Sequence, residues 1–117
     1  MPATTLVTGA VGFIGSHVVE ALTMRGRNVI AFDRRACPGV ETILGDIRDP
    51  AAVTDAMAHA DSWIHLAGVL GTQETITNPL PAAETNVLGG LNVLQAAAQY
   101  GLPGVNIAVG NHWENNP

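Results

Sequence analysis

The sequence has few cysteines, few basic residues and no long apolar runs, and these shortages exclude several classes of protein. Its single cysteine, Cys37, cannot form a disulfide within the chain, which favours a reducing compartment. Ten acidic residues outnumber five basic ones and the net charge is −5, so nucleic acid and anionic membranes are poor partners. No apolar run is long enough for a membrane span, and no signal-peptide pattern opens the chain. We therefore expect a cytoplasmic protein that binds neither nucleic acid nor membrane.

Small apolar residues and glycine make up much of what is present. The chain is 47% hydrophobic but only 4% aromatic and 13% charged, with 13 glycines. This composition is typical of buried parallel strands and closely packed helices. A length of 117 residues suits one compact domain over residues 1–117.

The segment Thr8–Gly15 has a glycine at every third position: Gly9, Gly12 and Gly15. It follows an apolar predicted strand and leads into an amphipathic predicted helix. The first glycine permits a sharp turn, the second leaves the backbone open to a ligand, and the third lets the helix pack close to the strand. Unpaired N–H groups at the start of the helix favour a pyrophosphate. Strand, glycine turn and helix together predict a dinucleotide-binding site.

The second predicted strand ends at Asp33, which lies 18 residues after Gly15. An acid here can accept hydrogen bonds from both ribose hydroxyls of an adenosine and repels a 2′-phosphate, so Asp33 favours NAD. Arg34 and Arg35 keep NADP open, because an arginine at this place can pair with a 2′-phosphate or stack on adenine. The alternative for these residues is a solvated charge cluster at the end of a strand.

Hydrophobic periodicity and turn signals predict the order β-α-β-β-α-β-α-β along the chain. The predicted strands cover 3–8, 28–32, 41–44, 62–66 and 105–109, and the predicted helices cover 13–25, 50–59 and 82–100. Asp49 is the expected N-cap of the second helix, with Pro50 at its first position. Right-handed crossovers then give an α/β fold, a mostly parallel five-stranded sheet with helices on both faces.

Two later strands are expected to end at the edge where the glycine turn lies. Asp46 can accept a hydrogen bond from an adenine amino group with Ile47 packed on the ring, although capping a turn is the alternative role of Asp46. Ala67 and Gly68 follow the fourth strand, and their small size lets a ligand lie against the backbone. His65, inside that strand, is expected to be a satisfied core histidine rather than a catalytic one.

The long predicted helix carries one apolar stripe: Val87, Leu91, Leu94 and Ala98. Gly89 and Gly90 lie inside it at a cost of about 1 kcal/mol each against alanine, and close packing on the sheet is one reason to tolerate them. Asn86, near the N-terminal end, can reach the binding edge. Asn92 is expected to be a packing or surface residue.

Four segments together resemble the extended short-chain dehydrogenase/reductase family, in its NAD-dependent epimerase/dehydratase branch. They are Thr8–His17, Gly45–Asp49, Ile64–Gly68 and Asn86–Leu94. The resemblance runs over nearly all of the chain and implies a Rossmann-type doubly wound fold. Members of this branch usually act on nucleotide-linked sugars, with NAD taking a hydride from a sugar carbon and often returning it.

The resemblance also implies a role for each matching residue along a bound dinucleotide. Phe13 and Ile14 would lie over the pyrophosphate, and Asp33 would hold the adenosine ribose. Adenine would be contacted by Asp46 and Ile47. The middle of the cofactor would pass Leu66, Ala67 and Gly68, and Asn86 would hold the nearby exit loop on the nicotinamide side. No metal site is predicted.

The chain departs from the family pattern in its catalytic groups. Gly110 and Asn111 occupy the positions where the family has a Ser or Thr after the fifth strand. Asn111 can donate a hydrogen bond to a reacting oxygen but cannot relay a proton. The equal alternative is that Asn111 is an ordinary loop asparagine. The family's Tyr-x-x-x-Lys pair has no counterpart, since the one tyrosine is Tyr100 and lysine is absent. We therefore expect the N-terminal portion of a longer enzyme, inactive by itself.

Three functions stay open after this reading. The first is the NAD-binding portion of a sugar-nucleotide epimerase or dehydratase, an oxidoreductase that works by transient hydride transfer. The second is a non-catalytic module that senses a dinucleotide, and the third is an NADP-dependent reductase of the same superfamily. The resemblance adds a homodimer as a candidate assembly, because the family often dimerises through helices that would include 82–100.

Overall fold

The structure, a computed structural model, describes residues 3–68 and 79–107. Its strands are β1 (Thr4–Thr8), β2 (Asn28–Asp33), β3 (Glu41–Leu44), β4 (Ser62–His65) and β5 (Gly104–Asn106). All four pairings are parallel, and the strands lie in the order β3-β2-β1-β4-β5. The predicted five-stranded parallel sheet is confirmed.

The helices are α1 (Phe13–Met24), α2 (Pro50–Met57), α3 (Pro79–Ala83), a π-helical turn (Glu84–Leu88) and α4 (Gly89–Tyr100). Asp49 caps α2 as expected, accepting from the backbone N–H groups of Ala51 and Ala52. No helix in the described ranges is long and apolar enough to cross a membrane.

Strand β1 is the centre of the sheet, because it pairs with β2 on one side and β4 on the other. Thr8, its last residue, is in register with Phe32 on β2 and with His65 on β4. The carboxyl ends of these three strands therefore meet at one edge of the sheet, called the carboxyl edge below; the opposite border is the amino edge.

Each face of the sheet has its own core, which confirms helices on both faces. One core joins the sheet to α2 and α4 and contains Leu6, Ile30, Phe32, Ile47, Val53, Ala56, Met57, Ala60, Trp63, Val93, Ala96 and Ala97. The other joins it to α1 and contains Val7, Ala10, Val19, Val29, Ala31 and Cys37. The second core is built of small residues, so α1 lies close to the sheet beneath the glycine turn.

The predicted helix 82–100 is wrong in one respect and its apolar stripe faces the other way. The chain forms α3, a π-helical turn and α4 rather than one regular helix. Val87, Leu91 and Leu94 are 62%, 50% and 46% exposed, whereas the buried residues of α4 are Gly89, Asn92, Val93, Ala96 and Ala97. The small side chains of this buried face let α4 lie close to its neighbours.

The two helical glycines differ in their surroundings. A Cβ on Gly89 would lie 2.5 Å from Cδ1 of Ile47, so Gly89 is closely packed, but against the loop after β3 rather than against the sheet as predicted. A Cβ on Gly90 would meet nothing within 4 Å, so close packing does not explain this second glycine.

The fifth strand begins one residue before its predicted start. It runs over Gly104–Asn106, and the space beside Gly104 where a Cβ would stand is filled by the ring of Trp63. The last two residues of the predicted strand 105–109 lie outside the described residues.

Candidate functional site

A cleft of about 190 Å³ opens at the carboxyl edge of the sheet. It is lined by Gly9, Phe32, Asp33, Arg34, Gly45, Asp46, Ile47, Ala67, Gly68 and Thr85. These residues come from the ends of the first four strands and from the π-helical turn. Seven of the residues predicted to bind the dinucleotide therefore meet in one cleft, namely Gly9, Asp33, Arg34, Asp46, Ile47, Ala67 and Gly68.

The glycine turn is pressed against the residues that leave β4. Gly9 has a φ of +68°, and a Cβ on it would lie 2.7 Å from the backbone nitrogen of Ala67. A Cβ on Gly15 would overlap the carbonyl oxygen of Gly9, so helix α1 could not start where it does with any larger residue. A Cβ on Gly12 would stand 3.3 Å from the same oxygen, a tight contact that excludes less.

Helix α1 begins at this turn without a capping side chain. Gly12 is the N-cap residue, and it has no side chain to accept from the first N–H groups. Phe13 is 81% exposed and Ile14 is 50% exposed. Unpaired N–H groups and the helix dipole attract an anion such as a pyrophosphate. Phe13, Ile14, Gly12 and Gly15 thus adjoin the cleft from the turn rather than line it.

Asp33 joins the glycine turn to the end of β2. Its Oδ2 accepts from the backbone N–H of Val11 at 3.1 Å, and its Oδ1 accepts from the backbone N–H of Arg35 at 3.1 Å. These bonds orient the carboxylate at the cleft wall. Because each carboxylate oxygen has two lone pairs, one on each oxygen is left to accept from a ligand hydroxyl.

Asp46 closes a turn and pairs with Arg48. Its Oδ1 accepts from the backbone N–H of Arg48 at 2.9 Å, and its Oδ2 accepts from the guanidinium at 2.6 Å. Hydrogen bonds from Arg48 lower the pKa of Asp46 to about 2. The turn-capping role is therefore confirmed. The contact with adenine stays a prediction, since the residue also lines the cleft.

Ile47 is buried between the cleft and α4. Its side chain fills the space beside Gly89, and its carbonyl oxygen accepts from the amide nitrogen of Asn92 at 2.8 Å. Asn92 is only 5% exposed, so its predicted packing role is confirmed. This buried bond holds the loop after β3 in place on α4.

The π-helical turn also contributes to the cleft. A Cβ on Gly68 would lie 2.9 Å from Oδ1 of Asn86, so Asn86 does reach the carboxyl edge as predicted. Thr85 lines the cleft and was missed by sequence reasoning. The extra residue of a π-turn has no signature in the apolar pattern, although such turns are frequent at functional sites.

Beneath the cleft, Thr8 and His65 form a buried pair that sequence reasoning also missed. Thr8 Oγ1 is 2.6 Å from Nδ1 of His65, and it accepts from the backbone N–H groups of Leu66 at 3.0 Å and Ala67 at 3.1 Å. Burial lowers the pKa of His65. The prediction of a satisfied core histidine is confirmed. The sequence signal for this pair was the threonine directly before the glycine turn.

Several predictions cannot be placed on this geometry. Gly110 and Asn111 lie outside the described residues, as does most of the loop after Gly68. Within the described ranges, no group of three His, Cys, Asp or Glu side chains could hold a metal ion.

Comparison with known proteins matches this arrangement to one family. Residues 5–109 match the model described as NAD dependent epimerase/dehydratase family. A dTDP-glucose 4,6-dehydratase of Streptomyces antibioticus is 37% identical over an alignment 115 residues long. The alignment covers 83% of this chain and 34% of that protein. The chain thus spans about a third of the length of this relative.

Two solved structures are similar to the whole described fold. UDP-glucose 4-epimerase of Thermus thermophilus, a complex with NAD, superimposes with a TM-score of 0.79 at 36% identity, covering 85% of this chain and 35% of that one. MoeE5 in complex with UDP-glucose and NAD superimposes with a TM-score of 0.86 at 34% identity, covering 94% and 38%.

Proposed function

The chain belongs to the NAD-dependent epimerase/dehydratase family, and from this premise we propose that its cleft binds NAD as part of a sugar-nucleotide epimerase or dehydratase. When bound, NAD supplies reversible acceptance of a hydride from a sugar carbon. The described residues would bind and orient the dinucleotide. The solved relatives hold NAD, and one also holds UDP-glucose, which supports a nucleotide-linked sugar as substrate.

The observation that carries the proposal is the position of the Asp33 carboxylate. It stands at the cleft wall, is oriented by two backbone N–H groups, and keeps one lone pair on each oxygen. Two adjacent ribose hydroxyls present two donors at matching spacing. The same negative charge repels a 2′-phosphate, so NAD is preferred over NADP.

The rest of the cleft fits the other parts of a dinucleotide. Gly9 and Gly15 leave the backbone bare where any Cβ would collide, and the uncapped start of α1 provides N–H donors for a pyrophosphate. Adenine would lie against Asp46 and Ile47, and the middle of the cofactor would pass Leu66, Ala67 and Gly68. Asn86 would hold the exit loop on the nicotinamide side. Asn111 would donate a hydrogen bond to the reacting oxygen.

The test is a calorimetric titration of the protein with NAD and with NADP. We expect NAD to bind more tightly, and Asp33→Ala to weaken NAD binding at least tenfold, because two ribose hydrogen bonds to a charged group are lost. Asp55→Ala is the matched control, since Asp55 is an exposed acid on α2 away from the cleft. Unchanged NAD affinity in Asp33→Ala would refute the assignment.

Arg34 is the observation that favours the alternative of an NADP-dependent reductase. Its side chain lines the cleft next to Asp33, where a guanidinium can pair with a 2′-phosphate. The same titration separates the two functions. Tighter binding of NADP than of NAD, weakened by Arg34→Ala, would favour the NADP-dependent reductase over the proposed function.

We also propose that the chain is the N-terminal portion of a longer enzyme whose remainder supplies the acid and base. Its match to about a third of the Streptomyces dehydratase supports this. The intact mass of the protein from its native source is the test. A mass two to three times the 12.1 kDa of this chain is expected. A native mass near 12 kDa would favour the dinucleotide-sensing module instead.

The proposed assembly is a cytoplasmic homodimer that binds no nucleic acid. Val87, Leu91 and Leu94 expose an apolar stripe that a second copy would cover, and the net charge of −5 opposes polyanions. Sedimentation velocity on the protein and on Leu91→Glu is the test. We expect the variant to be monomeric, and an unchanged dimer would reject this interface.

A further inference from the structure

The hydroxyl of Thr8 has a complete set of hydrogen-bond partners. A hydroxyl oxygen offers two lone pairs and one hydrogen. Oγ1 of Thr8 accepts from the backbone N–H of Leu66 at 3.0 Å and from that of Ala67 at 3.1 Å. Both lone pairs are then occupied, and only the hydroxyl hydrogen remains to be placed.

Among the described residues, that hydrogen has one acceptor within reach, the Nδ1 atom of His65 at 2.6 Å. Thr8 must therefore donate and Nδ1 must accept, which makes the ring neutral with its proton on Nε2. A protonated ring would instead point an N–H at an oxygen that has no lone pair left. Thr8 is 1% exposed and His65 is 5% exposed, so water cannot replace the lost partner.

The two amides held by Thr8 belong to the segment that forms one wall of the cleft. Ala67 and Gly68 line it directly, and the backbone nitrogen of Ala67 faces the bare Cα of Gly9. The N–H of Leu66 is shared between Oγ1 and the carbonyl oxygen of Thr8, the latter at 3.2 Å. The N–H of Ala67 has Thr8 Oγ1 as its one partner within the described ranges.

We propose that His65 is a positioning residue of the dinucleotide site. By taking the hydrogen of Thr8, it frees both lone pairs of Oγ1 for Leu66 and Ala67, and so it sets the distance between the cleft wall and the glycine turn. The part of this inference that concerns affinity rests on the proposed binding of NAD. The hydrogen-bond arrangement itself does not depend on that function.

Acid should weaken the arrangement, because only the neutral ring can accept from Thr8. Burial favours the neutral ring by lowering its pKa, and no charged group of the described residues adds to that shift. NAD affinity should therefore be flat above neutral pH and should fall as pH drops well below the ordinary histidine pKa of about 6.5.

Two substitutions at His65 separate the effect of accepting a hydrogen bond from Thr8 from the effect of protonating the ring. Asparagine can place its amide oxygen near the position of Nδ1, where it accepts a hydrogen bond but does not ionise. Leucine fills similar space and accepts nothing. His59→Asn is the matched control, because His59 is an exposed histidine just after α2.

The dissociation constant of NAD would be measured by calorimetry at pH 7.5 and pH 5.5 for each protein. We expect His65→Leu to raise it about tenfold at pH 7.5, because Thr8 loses its acceptor and both amides loosen. His65→Asn should stay within about threefold of the unsubstituted protein at pH 7.5 and should lose most of the weakening at pH 5.5. His59→Asn should behave like the unsubstituted protein at both values.

Nitrogen NMR of the His65 ring and hydrogen exchange of the Leu66 and Ala67 amides test the arrangement without any ligand. We expect an unprotonated Nδ1 at pH 7.5 and slowly exchanging amides. A protonated Nδ1, or unchanged affinity and exchange in His65→Leu, overturns the proposal. If His65→Leu does not fold, the proposal is tested by the pH dependence of NAD affinity in His65→Asn and by the NMR signals of the His65 ring. If NAD does not bind at all, the proposed function fails, and the ring and amide signals still test the hydrogen-bond arrangement.

Discussion

Strand β1 has a buried threonine near each end, and the two hydroxyls have different kinds of partner. At the amino edge, Thr5 Oγ1 accepts from the guanidinium of Arg27 at 2.8 and 3.0 Å and shares a hydrogen bond with Ser62 Oγ at 3.1 Å. At the carboxyl edge, Thr8 Oγ1 is bonded to an imidazole and to two backbone amides.

The difference separates an edge that serves stability from an edge that serves binding. At the amino edge, side chains bond to one another. At the carboxyl edge, the side chain of Thr8 binds the backbone N–H groups of Leu66 and Ala67, and the neighbouring glycines have no side chains to fill the cleft. Imidazole is also the side chain whose charge changes near neutral pH, so the two edges should respond differently to acid.

The largest effect is expected from Gly15→Ala at the carboxyl edge. The new Cβ would overlap the carbonyl oxygen of Gly9 and lie 2.9 Å from Cα of Ala10, so backbone must shift. We expect a loss of about 3 kcal/mol in the free energy of unfolding, measured with urea. Gly90→Ala is the control, because its Cβ meets nothing and should stabilise α4 by up to about 1 kcal/mol. Equal effects of the two substitutions would contradict the packing described for the turn.

Thr5→Val is the next test, at the amino edge. It removes one of the two acceptors of Arg27 and one partner of Ser62 at a site that is only 2% exposed. The free energy of unfolding should fall by about 1–3 kcal/mol, while NAD affinity measured by calorimetry should not change. Thr8→Val should lower affinity as well, and Thr8→Ser, which keeps the hydroxyl, should restore much of it. Weakened NAD binding in Thr5→Val would erase the division between the edges.

A smaller effect is expected from pH on stability through His65. Its pKa is lower in the folded protein than in the unfolded chain, so between those two pKa values the unfolded chain binds more protons. The free energy of unfolding should therefore be highest above about pH 6.5 and decrease as pH falls toward the folded pKa, with a slope below about 1.4 kcal/mol per pH unit. The measurement is urea unfolding between pH 5 and pH 8. In His65→Asn, the free energy of unfolding should depend less on pH over this range. An equally steep pH dependence in His65→Asn would show that groups other than His65 cause it.

The smallest effect is expected at the Asp46–Arg48 pair, which is partly exposed. Arg48→Gln should let the pKa of Asp46 rise from about 2 toward its ordinary value of 3.8. The cost at neutral pH should stay below about 1 kcal/mol, because water screens such pairs. The carboxyl signal of Asp46 in an NMR pH titration is the measurement. A pKa that stays near 2 would mean that the backbone N–H of residue 48, rather than the guanidinium, lowers it.

Much of the candidate site was predictable because it depends on local backbone chemistry. The glycine spacing, the acid after β2 and the small residues after β4 each follow a strand, and parallel strands bring their carboxyl ends to one edge. Their meeting in one cleft needed only the correct strand order. The same rule places Arg34, Asp46 and Ile47 in the cleft, because they follow the ends of β2 and β3.

The face of helix α4 could not be predicted from hydrophobicity. The stripe of Val87, Leu91 and Leu94 has the correct period for a core face, yet it is exposed. The buried face is made of glycine, alanine, valine and one asparagine, and at Gly89 the side chain of Ile47 fills the space that a Cβ would need. A hydrophobicity pattern ranks side chains by transfer free energy and contains no information about how near the next element lies.

The sequence by itself determined the strands, the glycine turn, the capped start of α2 and the family, because each depends on residues that are neighbours in the chain. Only the tertiary structure decided the π-helical turn that brings Thr85 to the cleft and the Thr8–His65 pair beneath it. Thr8 and His65 are separated by 57 positions, and a hydrogen bond across that distance exists only once β1 and β4 lie side by side.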